Sequence, residues 1–200
     1  MENQFLDEKY WNERYIENTA GWDAGKITAP LKEYIDQLTD KSIAILIPGC
    51  GNAHEAEYLL EHGFTNITLI DIAPEPIKTI KQKLKAFDGK QLSVIYGNFF
   101  DLDKQFDLII EQTFFCALDP NLRKKYGDKM NALLKPAGKL VGVMFNRSFD
   151  GGPPFGGSKE EYEKLFSEKF DIKTMDDCYN SIEPRKGNEV FIILKKLQLG

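Results

Sequence analysis

The sequence predicts an α/β fold built on a mostly parallel sheet, and three observations carry that expectation. Short β-rich apolar runs alternate with segments of helical periodicity through five units. The first run, residues 43–47, is apolar without alternation, as a strand covered on both faces requires. The last two runs, residues 170–175 and 190–194, have no helix between them, which makes the final strand antiparallel.

The elements follow in order. Residues 7–18 set Leu6, Tyr10, Trp11 and Tyr15 at helical spacing before the breaker Ala20-Gly21. Residues 30–38 put Leu31, Tyr34, Ile35 and Leu38 on one face of a second helix. The strand at 43–47 stops at Pro48-Gly49-Cys50-Gly51, and a helix follows with Asn52 as N-cap, Glu55 three residues later and Gly63 as its stop. Residues 67–70 form a strand ending at Asp71, and residues 74–87 a helix with Ile77, Ile80 and Leu84 on one face. Residues 92–96 and 106–110 are strands three and four. Asp119-Pro120 opens a helix in the favoured cap-then-proline order, Pro136-Ala137-Gly138 stops it, and residues 140–145 make strand five. Residues 151–157 hold four Gly and two Pro, a loop by composition, and residues 160–167 are the last helix.

Two hundred residues are one domain, read as an N-terminal helical cap over 1–40 and an α/β core over 41–200. Lys plus Arg number 26 against 31 Asp plus Glu, a net charge of −5 that speaks against sequence-independent nucleic-acid binding. Three scattered cysteines (Cys50, Cys116, Cys178) and two histidines (His54, His62) give neither a disulfide framework nor a metal site. Residues 1–4 lack the basic start of a signal peptide, and no apolar run is long enough to cross a bilayer. The expectation is a cytoplasmic, monomeric protein acting on a small molecule, away from membranes and nucleic acids.

In an open parallel sheet, ligands sit beyond the carboxyl ends of the strands. After strand one, two glycines of Pro48-Gly49-Cys50-Gly51 let the backbone pass close to a ligand, and the next helix offers its amides. After strand two stands Asp71, 22 residues beyond Gly49, the spacing at which an acid meets a ribose diol. His54 occupies the sixth position, where a dinucleotide fingerprint needs glycine, and no Gly-Lys-Ser/Thr occurs. After strand three, Gly97-Asn98-Phe99-Phe100 offers a polar edge and aromatic faces to an adenine. Glu111-Gln112-Thr113-Phe114-Phe115 follows strand four.

This pattern is similar to that of class I S-adenosylmethionine methyltransferases. Trp22-Asp23-Ala24-Gly25, Pro48-Gly49-Cys50-Gly51, Phe114-Phe115-Cys116-Ala117-Leu118 and Gly152-Pro153-Pro154-Phe155 stand in the order seen in the thiopurine methyltransferase superfamily. The block from Gln112 to Leu118, and the stretch Asn180 to Gly187, resemble its halide/thiol methyltransferase branch. The resemblance runs from about Trp11 to Lys195. It implies a Rossmann-like sheet of about seven strands with helices on both faces, an N-terminal helical lid, and S-adenosylmethionine as cofactor with S-adenosylhomocysteine as product.

The resemblance also implies the site. Trp22, Gly49, Cys50 and Gly51 would contact the cofactor, with Asp71, Ile72, Asn98, Phe99 and Glu111. Trp11 and Tyr15 would close over cofactor and substrate from the N-terminal helix. Phe114, Phe115, Phe145 and Phe155 would face the methyl group and acceptor. Independently of the resemblance, the basic spot Arg185-Lys186-Gly187 precedes the last strand, where Arg185 could reach an anionic acceptor. Two positions depart from the family: Asn98 stands where Asp is common, and Phe145 where a tyrosine is carried. Asn98 keeps an oxygen that can accept from the adenine amine; Phe145 takes a hydroxyl out of the acceptor pocket. The expected reaction is methyl transfer to a small soft nucleophile, a thiol or hydrosulfide, with no dedicated general base and no metal. The alternatives are an aromatic-thiol enzyme of thiopurine type and a cofactor-binding sensor without turnover.

Overall fold

The computed structural model describes residues 6–197, so the expectation resting on residues 1–4 lies outside the described residues. Asp7 accepts the Tyr10 N–H at 2.9 Å and starts α1 (Glu8–Ile16); Pro30 sits in the first turn of α2 (Ala29–Asp36). Four strands follow with their crossovers: β1 (Ile45–Pro48), α3 (His54–Glu61), β2 (Ile67–Asp71), α4 (Pro74–Lys83), β3 (Leu92–Tyr96) and β4 (Phe106–Gln112). The chain ends with α5 (Arg123–Leu133), β5 (Leu134–Phe145), α6 (Lys159–Phe166), β6 (Phe170–Asp177) and β7 (Glu189–Lys196). Among the described residues no helix is long and apolar enough to cross a membrane.

The seven strands lie in the order β3-β2-β1-β4-β5-β7-β6. The first five in chain order run parallel, and β7 is antiparallel to both neighbours, β5 and β6. Strand order reverses between β1 and β4, so a crevice opens beyond the carboxyl ends there. Both faces are covered. Ile45, Ile47, Leu69 and Leu108 pack under α2, α3 and α4 in one apolar layer. Leu46, Ile109, Leu140 and Met144 pack with Tyr126, Met130, Tyr162 and Phe166 of α5 and α6 in the other.

Three local expectations are corrected. Asn52 is not the cap of α3: Ala53 takes that place at φ 56°, and the Asn52 side chain bonds Asp23 instead. Asp119-Pro120 opens a short 3-10 turn, with Asn121 N–H donating to Asp119 at 2.8 Å, and the α-helix begins only at Arg123. Pro136-Ala137-Gly138 lies inside β5 rather than before it; Leu134 pairs with Phe106, and Ala137 turns the strand at φ 64°.

Gly142 of β5 lies between Glu111 of β4 and Ile192 of β7. A Cβ there would stand 2.2 Å from the Glu111 carbonyl oxygen and 2.5 Å from the Glu111 Cβ. Gly142→Ala must therefore move backbone in the middle of the sheet. Its expected cost is about 3 kcal/mol, read by urea denaturation. A loss below about 1 kcal/mol would mean that the strands do not approach this closely.

Candidate functional site

The carboxyl ends of β1 to β5 open onto a cavity of about 540 Å³. Gly49, Asp71, Ile72, Asn98 and Phe99 line one end of it. Cys116, Phe145, Arg147, Phe149 and Arg185 also line it, and the Phe114 ring lies against Gly49 and 5.1 Å from Phe99. Trp11, Arg14 and Tyr15 reach in from α1, and Trp22 from the loop after it. The Trp22 ring meets Trp11 at 5.6 Å and Tyr15 at 5.8 Å, both edge to face.

This cover is fastened at several points. Asn12 Oδ1 accepts the Glu75 N–H at 2.8 Å, seating α1 on the first turn of α4. Asp23 accepts from Gly25 N–H and pairs with Asn52 and with His54 Nε2, which holds the loop to the start of α3 and draws its carboxyl below the usual range. Arg185 Nη2 donates to the Trp22 carbonyl at 2.5 Å, and Glu189 lies 3.5 Å from its Nη1.

At the end of β1 the chain turns through Gly49 at φ 56° and Gly51 at φ 48°, conformations that suit glycine. The space is used at both. A Cβ on Gly49 would stand 2.3 Å from the Phe114 ring, and one on Gly51 2.8 Å from the Tyr15 hydroxyl. Asp71 accepts from Gly51 N–H at 3.0 Å and from Ala73 N–H at 2.9 Å, while burial pushes its carboxyl pKa upward. Two lone-pair directions on those oxygens remain for a diol. Asn98 Oδ1 takes the Phe100 N–H at 2.9 Å.

A smaller polar recess adjoins the cavity behind Trp22 and shares Tyr15, Gly49, Thr113 and Arg185 with it. Cys50, Gly51 and Gln112 line this recess, with Cys50 held far towards its neutral thiol by burial. Gln112 Oε1 accepts from Thr28 at 2.9 Å, whereas its Nε2 is buried without a partner among the described residues. An orphaned donor beside a glycine turn fits the carboxylate of an amino-acid group. Together with the Asp71 oxygens, the donor set matches S-adenosylmethionine. Gln112, Arg14 and Arg147 were missed from the sequence: Gln112 stands in a block of the resemblance but was given no contact, and the two arginines belong to no motif.

Three expected contacts reach neither the cavity nor this recess. Phe115 is buried in the lower core layer, packed on Tyr126 and Tyr162 at 5.0 and 5.5 Å. Phe155 folds back: its N–H donates to the Cys116 carbonyl at 2.7 Å and its ring lies under Gly152, so Pro153, Pro154 and Phe149 face inward instead. Glu111 is wholly buried beneath the wall. Its Oε1 accepts from Phe114 and Phe115 N–H at 2.8 and 2.9 Å, and its Oε2 from the Tyr126 hydroxyl at 2.7 Å. Glu111 thus shapes the turn that carries Phe114.

Burial pushes Glu111 up to about 7 despite those three donors. A carboxyl with a raised pKa in the fold contributes stability that is fully present below its ordinary 4.5 and lost as pH rises towards about 7. Glu111→Gln keeps the shape without the titration. The stability of the native protein relative to this variant should therefore fall between those two pH values, by about 3 kcal/mol at most. Urea denaturation across that range checks it; a flat difference would mean that Glu111 stays ionised throughout.

Comparison with known proteins agrees with this geometry. The sequence profile of the family described as thiopurine S-methyltransferase matches residues 6–198. A relative named probable thiol methyltransferase 2, from Arabidopsis thaliana, is 31% identical over 90% of this chain and 81% of its own length. Thiocyanate methyltransferase 1 of Brassica oleracea is 28% identical over 96% of this chain and 87% of its own. Among solved structures, magnesium protoporphyrin IX methyltransferase from Synechocystis PCC 6803, with bound S-adenosylhomocysteine, superposes with a TM-score of 0.74. That likeness, at 11% identity over 95% of this chain and 97% of the other, supports the fold. The chain belongs to the thiopurine S-methyltransferase family and is an S-adenosylmethionine-dependent methyltransferase.

Proposed function

We propose that the protein methylates a small, soft sulfur nucleophile, a thiol or hydrosulfide that reacts as its anion. The observation that carries this is the make-up of the cavity wall. Phe114, Phe145 and Phe149 line the cavity with aromatic rings, and Asp71 is the only carboxylate among the described lining residues. The Asp71 oxygens are already tied to backbone N–H groups, and the Cys116 thiol is pushed up to about 12 by burial. Among the described lining residues no side chain is poised to take a proton, so the acceptor would enter already ionised. Relatives named for thiols and for thiocyanate support the same class.

The cofactor residues follow from the donor set. Asp71 would accept the ribose hydroxyls, Asn98 and Phe99 would hold the adenine edge and face, and the glycine turn with Gln112 Nε2 would hold the amino-acid end. Trp11, Tyr15 and Trp22 would cover it. The bound cofactor supplies an electrophilic methyl on a sulfonium: the acceptor sulfur forms the new C–S bond, and the electron pair of the old one stays on the cofactor sulfur. The chain's part is to hold the acceptor in line and to exclude water. An anion and a cation become two neutral species in this reaction. A dry aromatic wall therefore does not stabilise the separated charges as water would, and ring faces near a sulfonium add about 0.5–2 kcal/mol each.

Two measurements test this. Purified protein with S-adenosylmethionine and a panel of hydrosulfide, thiocyanate, alkyl thiols and thiopurines should release S-adenosylhomocysteine, fastest with hydrosulfide or an alkyl thiol. Cofactor binding without release on any sulfur acceptor would overturn the reading. Asp71→Asn removes the charge that accepts the diol but keeps one acceptor for the glycine turn. It should weaken S-adenosylhomocysteine binding by about 10- to 100-fold in calorimetry, while the free protein, with one backbone N–H left without its acceptor, melts somewhat lower but still cooperatively. Unchanged affinity would place the ribose elsewhere.

A further inference from the structure

The chain carries a net charge of −5, yet the described wall of the cavity holds three arginines and one carboxylate. The three guanidinium groups are not equivalent. Arg185 is buried and matched by Glu189 and the Trp22 carbonyl. Arg14 likewise has no carboxylate within 4.0 Å among the described residues, but it lies half-buried over the Tyr10 ring at 4.4 Å and donates to its hydroxyl. Arg147 is exposed at the rim, and among the described residues no carboxylate lies within 4.0 Å of it. Its only side-chain hydrogen bond among the described residues is a long one, Nε to the Ser148 carbonyl at 3.4 Å.

Arg147 is nonetheless placed. Its guanidinium stacks over Phe149 at 4.7 Å, Phe149 meets Phe145 edge to face at 5.0 Å, and Arg185 lies over Phe145 at 5.6 Å. Its carbonyl accepts the Gly157 N–H at 3.0 Å, which pins the backbone beneath it. The result is a row of two rings with a cation at each end: the inner cation is spoken for, while the outer one keeps a planar fork of donors.

Resting on the sulfur-nucleophile reading above, we infer that Arg147 is a specificity-determining residue that binds a carboxylate on the acceptor, so that the preferred acceptor is a short thiol acid. The sulfur would enter the aromatic end while the carboxylate stays at the rim on the guanidinium, where bidentate geometry is available. Asn188 lines the same rim and offers a further polar group. Hydrosulfide and neutral thiols would reach the aromatic end without this anchor.

The test pairs 3-mercaptopropionate with 3-mercapto-1-propanol, which differ in the terminal group, and adds hydrosulfide. The native protein should prefer the acid over the alcohol by about tenfold or more in kcat/KM, mostly through KM. Arg147→Gln should bring that ratio close to one, its loss on the acid exceeding its loss on hydrosulfide by a similar factor. Calorimetry with 3-(methylthio)propionate in the presence of S-adenosylhomocysteine reads the subsite without turnover, and Arg147→Gln should weaken that binding about tenfold. Equal use of acid and alcohol, a preference that survives Arg147→Gln, or an equal loss on all three acceptors would overturn the Arg147 assignment alone. Failure of every thiol, with hydrosulfide included, would overturn the sulfur-nucleophile reading as well.

Discussion

Backbone N–H groups just beyond the carboxyl ends of parallel strands have left the ladder and still need acceptors. In this protein two buried carboxylates meet that need, and the cavity depends on both. Asp71 at the end of β2 accepts from Gly51 and Ala73, and Glu111 at the end of β4 accepts from Phe114 and Phe115. These strands flank β1, so the two acids fix the turns on either side of the crevice. Asp71 bonds both its own turn, at Ala73, and the turn after β1, at Gly51, while Glu111 bonds its own turn at Phe114 and Phe115, and these bonds hold irregular chain in one shape. Burial raises the pKa of both, although each accepts hydrogen bonds, Asp71 from backbone alone and Glu111 from backbone and the Tyr126 hydroxyl.

From these fixed turns the upper wall follows. Glu111 aims Phe114 towards Gly49, and the missing Cβ of Gly49 leaves room for the ring. The cover is then bound to the same framework at well-separated points: Asn12 to α4, Asp23 to the start of α3, Thr28 to Gln112 of β4, and the Trp22 carbonyl to Arg185. Two of these ties join segments more than 80 residues apart in sequence, Thr28 with Gln112 and Trp22 with Arg185. The lid is thus a tertiary assembly, and its orientation is set by the core.

That division explains what could be read from the sequence. The strands were legible because a strand covered on both faces must be apolar without interruption, as residues 43–47 are. Asp71 and the glycine turn were legible because their spacing belongs to one β-turn-α-β unit. Local chemistry misled where a distant partner intervened. Asn52 looks like a cap but is taken by Asp23, and Pro136-Ala137-Gly138 looks like a stop but is drawn into β5 by pairing with β4. The aromatic residues divide in the same way. Phe114 and Phe115 are neighbours with the same side chain, and only the pinned turn decides that one meets the cavity and the other the core. Phe155 and Phe149 are sorted by a single hydrogen bond from the Phe155 N–H to Cys116, which no local pattern announces.

The charge of the cavity and the dryness of its wall pull in opposite directions, and the arginine–phenylalanine row reconciles them. Annihilating an anion against a sulfonium favours a site that water does not fill, yet an anion enters such a site only if something replaces its hydration. A lysine at the rim would carry a tightly held water shell with it. Guanidinium is more weakly hydrated and lies flat on an aromatic face, so Arg147 over Phe149 and Arg185 over Phe145 place positive potential beside the rings at little cost in dryness. The buried Glu189 beside Arg185 tempers the inner charge, since an unmatched cation there would also repel the sulfonium. Of the two cations in this row the unmatched one thus sits at the rim, where, on the proposed function, it would draw an anion inward without opposing the cofactor.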